Sequence, residues 1–417
     1  MVYPLLITLY LLGLVLAAPF NSKARKMIQG RWQWRKRMRR ALPKKTGKRI
    51  WFHCASLGEF EMIRPLLDAL KKEQPETSVV ISFFSPSGYE QRKSYPCDGV
   101  FYLPLDFERN AKLWYRYVQP DMVIFVKYEF WLRYMQQGLK YGCKMVAVGC
   151  LFREEQFVFE PWAKAWKRCL QDFDRVFVQN ETSAEKARAE GLRNISISGD
   201  TRFDRVLDVI RETAAMPEIA LFKGDNILCV AGSCWPPEEK LLQEFFINNG
   251  MPVNRKFILV PHDIGKKHIA DIQKRFSEYP CITYSEWQNG ADISKAKILI
   301  VDCIGVLNGI YAYADMAIIG GAFGKGLHNM LEAASRGIPI LFGPKHQKFP
   351  EALESIEAGF GYECEDYNIF EKHLKSGLGN PEFREYAGKK ATQYITSKAG
   401  ATANVMGYLN GVLLKNN

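Results

Sequence analysis

From residue 49 onward, short apolar runs alternate with longer stretches in which apolar positions recur every three or four residues, the mark of strands alternating with amphipathic helices. Residues 49–54 predict a strand, 56–59 a turn and 60–72 a helix. Further strands are expected over 78–84, 100–103, 122–126, 145–149 and 175–178, with helices over 87–94, 108–118 and 162–172. Residues 204–224 lose the strand pattern and read as a helical connector. A second series then brings strands at 227–231, 256–260, 298–301, 316–319 and 339–342, separated by helices at 237–248, 264–276, 305–314 and 329–336. Such alternation builds βαβ units with parallel sheets. Two Rossmann-like α/β halves are therefore expected, with ligand sites at the carboxyl ends of their strands and a cleft where the two sheets face each other.

The pattern before residue 49 is different. Residues 1–22 carry no charge, and about 20 apolar residues suffice to cross a hydrocarbon core of roughly 30 Å. Residues 23–49 then hold about thirteen basic residues and no acid. A cleavable signal peptide places its basic residues ahead of the apolar run, so 1–22 are expected to form a membrane anchor helix and 23–49 a basic juxtamembrane arm. By the positive-inside rule everything after the anchor stays on the cytoplasmic side of the inner membrane. The remaining boundaries are an N-terminal domain at 50–204, a connector at 205–225 and a C-terminal domain at 226–417.

Length and composition narrow the class. A chain of 417 residues exceeds what one core usually organises, and 47% hydrophobic with 24% charged residues excludes a wholly disordered or polytopic membrane protein. The net charge of +12 comes from 57 Lys and Arg against 45 Asp and Glu, and the basic arm alone accounts for the excess. Because that arm follows an apolar segment and interleaves Trp32 and Trp34 with arginines, its expected partner is an anionic membrane surface and not nucleic acid. The ten cysteines form no CxxC pair and the six histidines are scattered, so neither a disulfide framework nor a metal site is suggested.

Four segments could carry chemistry. His53-Cys-Ala-Ser-Leu-Gly58-Glu59 ends a strand and opens a helix, so Glu59 fits either a helix-terminal carboxylate or a general base facing a cleft. The segment from Gly320 to Glu332 places Gly324, Lys325, Gly326, His328 and Asn329 between a strand and a helix, a glycine-rich loop of the kind that cradles phosphate; Glu332 could accept from ribose hydroxyls. It matches neither GxxxxGK[ST] nor GxGxxG. Lys127 and Glu129 follow a buried strand in an aromatic setting. Arg202, between Asp200 and Asp204, fits a binding role or a simple hinge.

These segments, in this order, resemble the bacterial 3-deoxy-D-manno-octulosonic acid (Kdo) transferases of lipopolysaccharide synthesis, a glycosyltransferase family of GT-B fold with an N-terminal membrane anchor. His53 to Glu59 is similar to the family's HxxSxGE, Ser85-Pro-Ser-Gly88 to TPTG, Tyr128-Glu129-Phe130-Trp131 to TELW, and Gly199 to Asp204 to GNLKFD. Ala231-Gly232-Ser233 is similar to AGST, Val260-Pro261-His262 to VPRH, and residues 320–349 to the GGS…GGHNPLEP…GP run. Two departures stand out: His262 replaces an arginine and Lys127 a glutamate. The resemblance implies transfer of Kdo from CMP-Kdo to the lipid A precursor (lipid IVA), inverting and independent of metal or other cofactor. It implies Glu59 as catalytic base and Ser233, His262, Gly324, Lys325, Gly326, His328, Asn329 and Glu332 around the donor, with Lys127, Glu129 and Arg202 on the acceptor side. Another GT-B enzyme using a UDP-sugar, or a non-catalytic membrane-tethered nucleotide- or RNA-binding protein, would share parts of this pattern.

Overall fold

The computed structural model describes residues 2–324 and 326–414. The chain divides into two compact units, one running to Arg205 and taking back the segment from Ala399, the other spanning Val206–Lys398.

The first unit is built on strands β1 (Arg49–Cys54), β2 (Ser78–Phe83), β3 (Gly99–Tyr102), β4 (Met122–Val126), β5 (Lys144–Cys150), β6 (Arg175–Val178) and β7 (Ile195–Ile197). They pair in parallel in the order β3-β2-β1-β4-β5-β6-β7. The central strands β1 and β4 are buried along their whole length, as near-continuous apolar runs covered by helices on both faces must be. One face carries the aromatic cluster of Trp51, Trp114, Tyr115, Phe125 and Tyr134; the other packs Phe52, Ile124 and Val146 under the helix Leu57–Glu73 and the C-terminal helix Ala401–Leu414.

The second unit repeats the scheme with β8 (Ile227–Cys234), β9 (Arg255–Pro261), β10 (Cys281–Thr283), β11 (Ile298–Ile300), β12 (Met316–Ile319), β13 (Ile340–Phe342) and β14 (Gly361–Glu363), in the parallel order β10-β11-β9-β8-β12-β13-β14. In each sheet the order reverses beside the first strand of the unit, so the strand ends there frame a topological switch point. Strands β7, β10 and β14, which the sequence pattern did not reveal, are three-residue sheet edges, too short for a periodicity to register. The helices Leu132–Tyr141 and Glu181–Ala189 also escaped it.

Two boundaries change. The C-terminal helix belongs to the first unit, not to a domain running from 226 to the end: Asp204 accepts the backbone N–H groups of Gly400 and Thr402 at 2.6 Å each, and Tyr408 packs on Phe177. At the other terminus, the expected spanning anchor is not found. The helix Val2–Ala17 has 16 residues, about 24 Å at 1.5 Å per residue, short of a bilayer core. Among the described residues no helix is long and apolar enough to cross a membrane. Tyr3, Ile7 and Tyr10, one stripe of this helix, are spent on the domain: Tyr3 packs edge-on against Trp166 and donates to the buried Asp106, and Tyr10 stacks on Phe84. Leu5, Leu6, Leu9, Leu12, Val15 and Leu16 stay exposed.

The basic arm is likewise folded onto the unit. It forms the helices Ser22–Arg31 and Trp34–Ala41; Met38 is buried and Trp34 packs on Trp114 and Tyr117. Arg31 is bonded to the carbonyls of Leu103 and Phe84 at 2.8 and 2.7 Å and lies over the Phe84 ring.

Candidate active site

In the first unit the candidate residues gather at the carboxyl ends of β1 and β4. Strand β1 ends at Cys54 and the chain turns into the helix Leu57–Glu73, which places Glu59 in its first turn. No side chain caps this helix from Ser56. Instead the Glu59 carboxylate folds back to accept the Ala55 N–H. Glu59 is thus both a helix-terminal carboxylate and a group of unusual basicity. Burial, then the neighbouring Glu129 carboxylate, raise its pKa to about 7, against the lowering pull of Ala55, Lys127 and Ser56.

Glu129 reaches the same place from β4. Lys127 adopts a left-handed backbone (φ 56°) with its N–H on the Val148 carbonyl, and this turn re-aims the chain at the strand end. The Glu129 carboxylate then accepts the Trp131 indole N–H at 2.9 Å, and the indole stacks on Phe84 at 4.5 Å. Beneath it lies His53, fully buried at the end of β1, a residue whose role the sequence reading did not assign. Its Nδ1 is 2.8 Å from Ser82 Oγ and its Nε2 3.7 Å from Glu129 Oε2. Ser82 Oγ already accepts the Trp51 indole N–H at 2.7 Å, so its own hydrogen is available to Nδ1. Nδ1 also lies 3.2 Å from the Ser82 backbone carbonyl, and among the described residues the buried Nε2 makes no hydrogen bond, its nearest acid being the Glu129 carboxylate.

Arg202 is placed otherwise. Its guanidinium pairs with Asp200 through Nε at 2.8 Å and a terminal nitrogen at 2.7 Å, and its backbone N–H also meets Asp200. Two positions on, Asp204 fixes the C-terminal helix.

In the second unit β8, β9 and β12 end together. Ser233 adopts a left-handed backbone (φ 52°), and Gly320 packs so closely on the Ser233 carbonyl and Cys234 that a side chain there would overlap them. Three amides of the glycine-rich loop are not held open, as a phosphate cradle would hold them. The N–H groups of Gly324 and Gly326 bond the Gly321 carbonyl at 2.9 and 3.0 Å, and that of His328 bonds the Gly320 carbonyl at 3.1 Å. Nor does a long helix follow: instead of 329–336 it spans Leu331–Ala334, too short for a strong macrodipole. Asn329 accepts the Leu331 N–H and donates to the Glu332 carboxylate at 2.8 Å, so these two side chains form one unit. Lys325 lies outside the described residues.

The side chains, by contrast, converge. His262 at the end of β9 stacks on two rings, 4.5 Å from Trp235 and 4.6 Å from His328. Glu238 ties this corner together, accepting the Trp235 N–H at 2.9 Å and the Gly321 N–H at 2.8 Å. Neither Trp235 nor Glu238 was picked out by sequence reasoning; their signal is their place just past the end of the first strand of the unit.

Comparison with known proteins shows what this chain is similar to. Residues 32–205 match the family model described as 3-deoxy-D-manno-octulosonic-acid transferase (kdotransferase). The chain is 28% identical over 342 residues to the 3-deoxy-D-manno-octulosonic acid transferase of Chlamydia trachomatis serovar D, covering 79% of this chain and 78% of that one. It is 28% identical over 340 residues to that of Aquifex aeolicus, covering 79% and 87%. The chain is a relative of the Kdo transferases. Among solved structures, the UDP-N-acetylglucosamine 2-epimerase of Neisseria meningitidis bound to its UDP-sugar superposes with a TM-score of 0.62 at 14% identity, over 88% of this chain and all (100%) of that one. Acinetobacter baumannii MurG does so with a TM-score of 0.57 at 10% identity, over 87% and 99%. These likenesses establish the GT-B fold. Against the Kdo-transferase motifs, both departures fall where geometry has most to say: Lys127 at the left-handed turn beside Glu59, and His262 inside the ring stack.

Proposed function

We propose that the protein transfers Kdo from CMP-Kdo to a hydroxyl of the lipid A precursor, in lipopolysaccharide synthesis, with Glu59 as general base. The observation that carries this reading is the Glu59 carboxyl, at the carboxyl end of β1 and pushed up to about 7 beside Glu129, a value suited to accepting a proton near neutral pH. Glu59 takes the acceptor hydroxyl proton as that oxygen bonds the anomeric carbon; the bond from the anomeric carbon to the CMP phosphate oxygen breaks on the opposite face, inverting the centre, and CMP leaves with the electron pair. Glu129 and Lys127 flank the acceptor. Ser233, His262, His328, Asn329 and Glu332 surround the donor.

The same reading sets the protein on the cytoplasmic membrane surface. The first helix spends one stripe on the domain and leaves six large aliphatic side chains outward, and a basic arm follows it; such a helix lies in the headgroup plane. The test of the chemistry is turnover: pure protein with CMP-Kdo and the lipid A precursor should yield the Kdo-bearing lipid, and UDP-sugars should not substitute. Glu59→Gln should lower kcat by about 10²–10⁴ with donor affinity retained. Near-full turnover in the folded variant would remove Glu59 from the mechanism.

A further inference from the structure

The corner where β8, β9 and the glycine-rich loop meet contains an arrangement that neither the family motif nor the loop geometry requires. Trp235 and His328 lie edge to edge in nearly one plane, 11° apart with centroids at 6.3 Å, and the indole Nε1 is 2.9 Å from His328 Nε2. His262 lies across the seam of the pair, at 20° to one ring and 25° to the other. An indole nitrogen only donates, so His328 Nε2 must present its lone pair, and the ring proton belongs to Nδ1. Burial, and then the adjoining His262, push the His328 imidazole below its ordinary value, which keeps it in this neutral form.

Both partners are held from behind. Glu238 bonds the backbone N–H of Trp235 and of Gly321, while the His328 N–H is fixed on Gly320. The amides of Gly324, Gly326 and His328 are used within the loop, so an anion in this corner would draw on other donors, among them the side chains that converge there. Among the described residues, His328 Nδ1 bonds no protein group.

We propose that Trp235 is a positioning residue: its indole N–H fixes His328 as the neutral Nδ1–H tautomer and so reserves that N–H for the phosphate of a bound nucleotide. The nucleotide half of this statement rests on the CMP-Kdo reading above; the tautomer half stands on hydrogen-bond chemistry alone.

The experiment uses the full chain labelled with 15N-histidine and long-range proton–nitrogen correlation spectra, with His328→Asn for assignment and CMP as the probe. The expected spectrum shows a pyridine-type Nε2 and a pyrrole-type Nδ1 for His328, with Nδ1 shifting when CMP is added. In Trp235→Phe, which keeps a ring for His262 to stack on but removes the donor, His328 should become a mixture of tautomers. The KM for CMP-Kdo should then rise roughly tenfold with kcat changed less than about twofold, the loss of one charge-assisted hydrogen bond. A pyrrole-type Nε2 in the unsubstituted protein overturns the proposal even if Trp235→Phe fails to fold. So does a Trp235→Phe protein with His328 released but donor KM unchanged, or a Nδ1 indifferent to saturating CMP. Absence of Kdo transfer by a protein whose His328 shows the locked tautomer and the CMP-induced shift would instead reject the transferase reading and leave the lock standing.

Discussion

At Glu59 two sets of effects compete on one carboxyl. Burial and the Glu129 carboxylate oppose ionisation, the Ala55 N–H and Lys127 favour it, and the first pair wins, which places the pKa at about 7. Since the base must be ionised to act, kcat/KM should rise with pH through about 7 and level off above it. Glu129→Gln removes one raising cause and should move that limb to lower pH; a limb unmoved by the substitution would assign it to another group. Stability has the opposite sign. A carboxyl whose folded pKa exceeds its unfolded value gives stability that is whole below the unfolded value and is lost as pH rises through about 7. Glu59→Gln should therefore melt higher than the parent protein at pH 8 and show little difference at pH 4, as differential scanning calorimetry would register. The position of Glu59 could be read from the sequence, because a strand, a glycine turn and an acid are adjacent in the chain. The sequence also singled out Glu129, but not that this carboxylate, 70 positions away, bears on Glu59.

Among the elements, the glycine-rich loop is the one whose sequence promised something different from what its backbone does. Four glycines next to a strand predict amides open to phosphate, but Gly320 packs closely on β8 and the N–H groups of Gly324, Gly326 and His328 find partners in the loop itself. Glycine supplies the conformations in either case, and only the tertiary approach of β8 selects between them. The C-terminal helix teaches the same lesson in the other direction. Its sequence carries no sign of a distant anchor, yet Asp204 caps it with two short hydrogen bonds from almost 200 residues upstream. Asp204→Ala should cost about 1–2 kcal/mol, the usual loss for an N-terminal cap. The loss should appear as faster hydrogen exchange in the helix Ala401–Leu414, while the second unit exchanges as before.

Over the whole molecule, the distribution of apolar surface bears on the proposed contact with a bilayer. One stripe of the first helix is consumed by Trp166, Asp106 and Phe84, which leaves an outward aliphatic face on a helix too short to span. Replacing Leu5, Leu9 and Leu12 together by Ser should weaken binding to anionic vesicles in sedimentation assays by at least tenfold, because each exposed leucine contributes roughly 1.5–3 kcal/mol when buried. Turnover on detergent-dispersed acceptor should change far less. Equal losses in both assays would place these residues in the fold and not at the lipid surface. By itself the sequence determined the strand–helix alternation, the two parallel-sheet units, the polarity of the arm and the place of Glu59 and the glycine loop, because these depend on residues near one another in the chain. Tertiary structure alone decided that the first helix is docked, that the last helix returns to the first unit, that Arg202 is bound to Asp200, and that Trp235, His262 and His328 form one stack. Each of these rests on contacts between distant segments, which local periodicity does not encode.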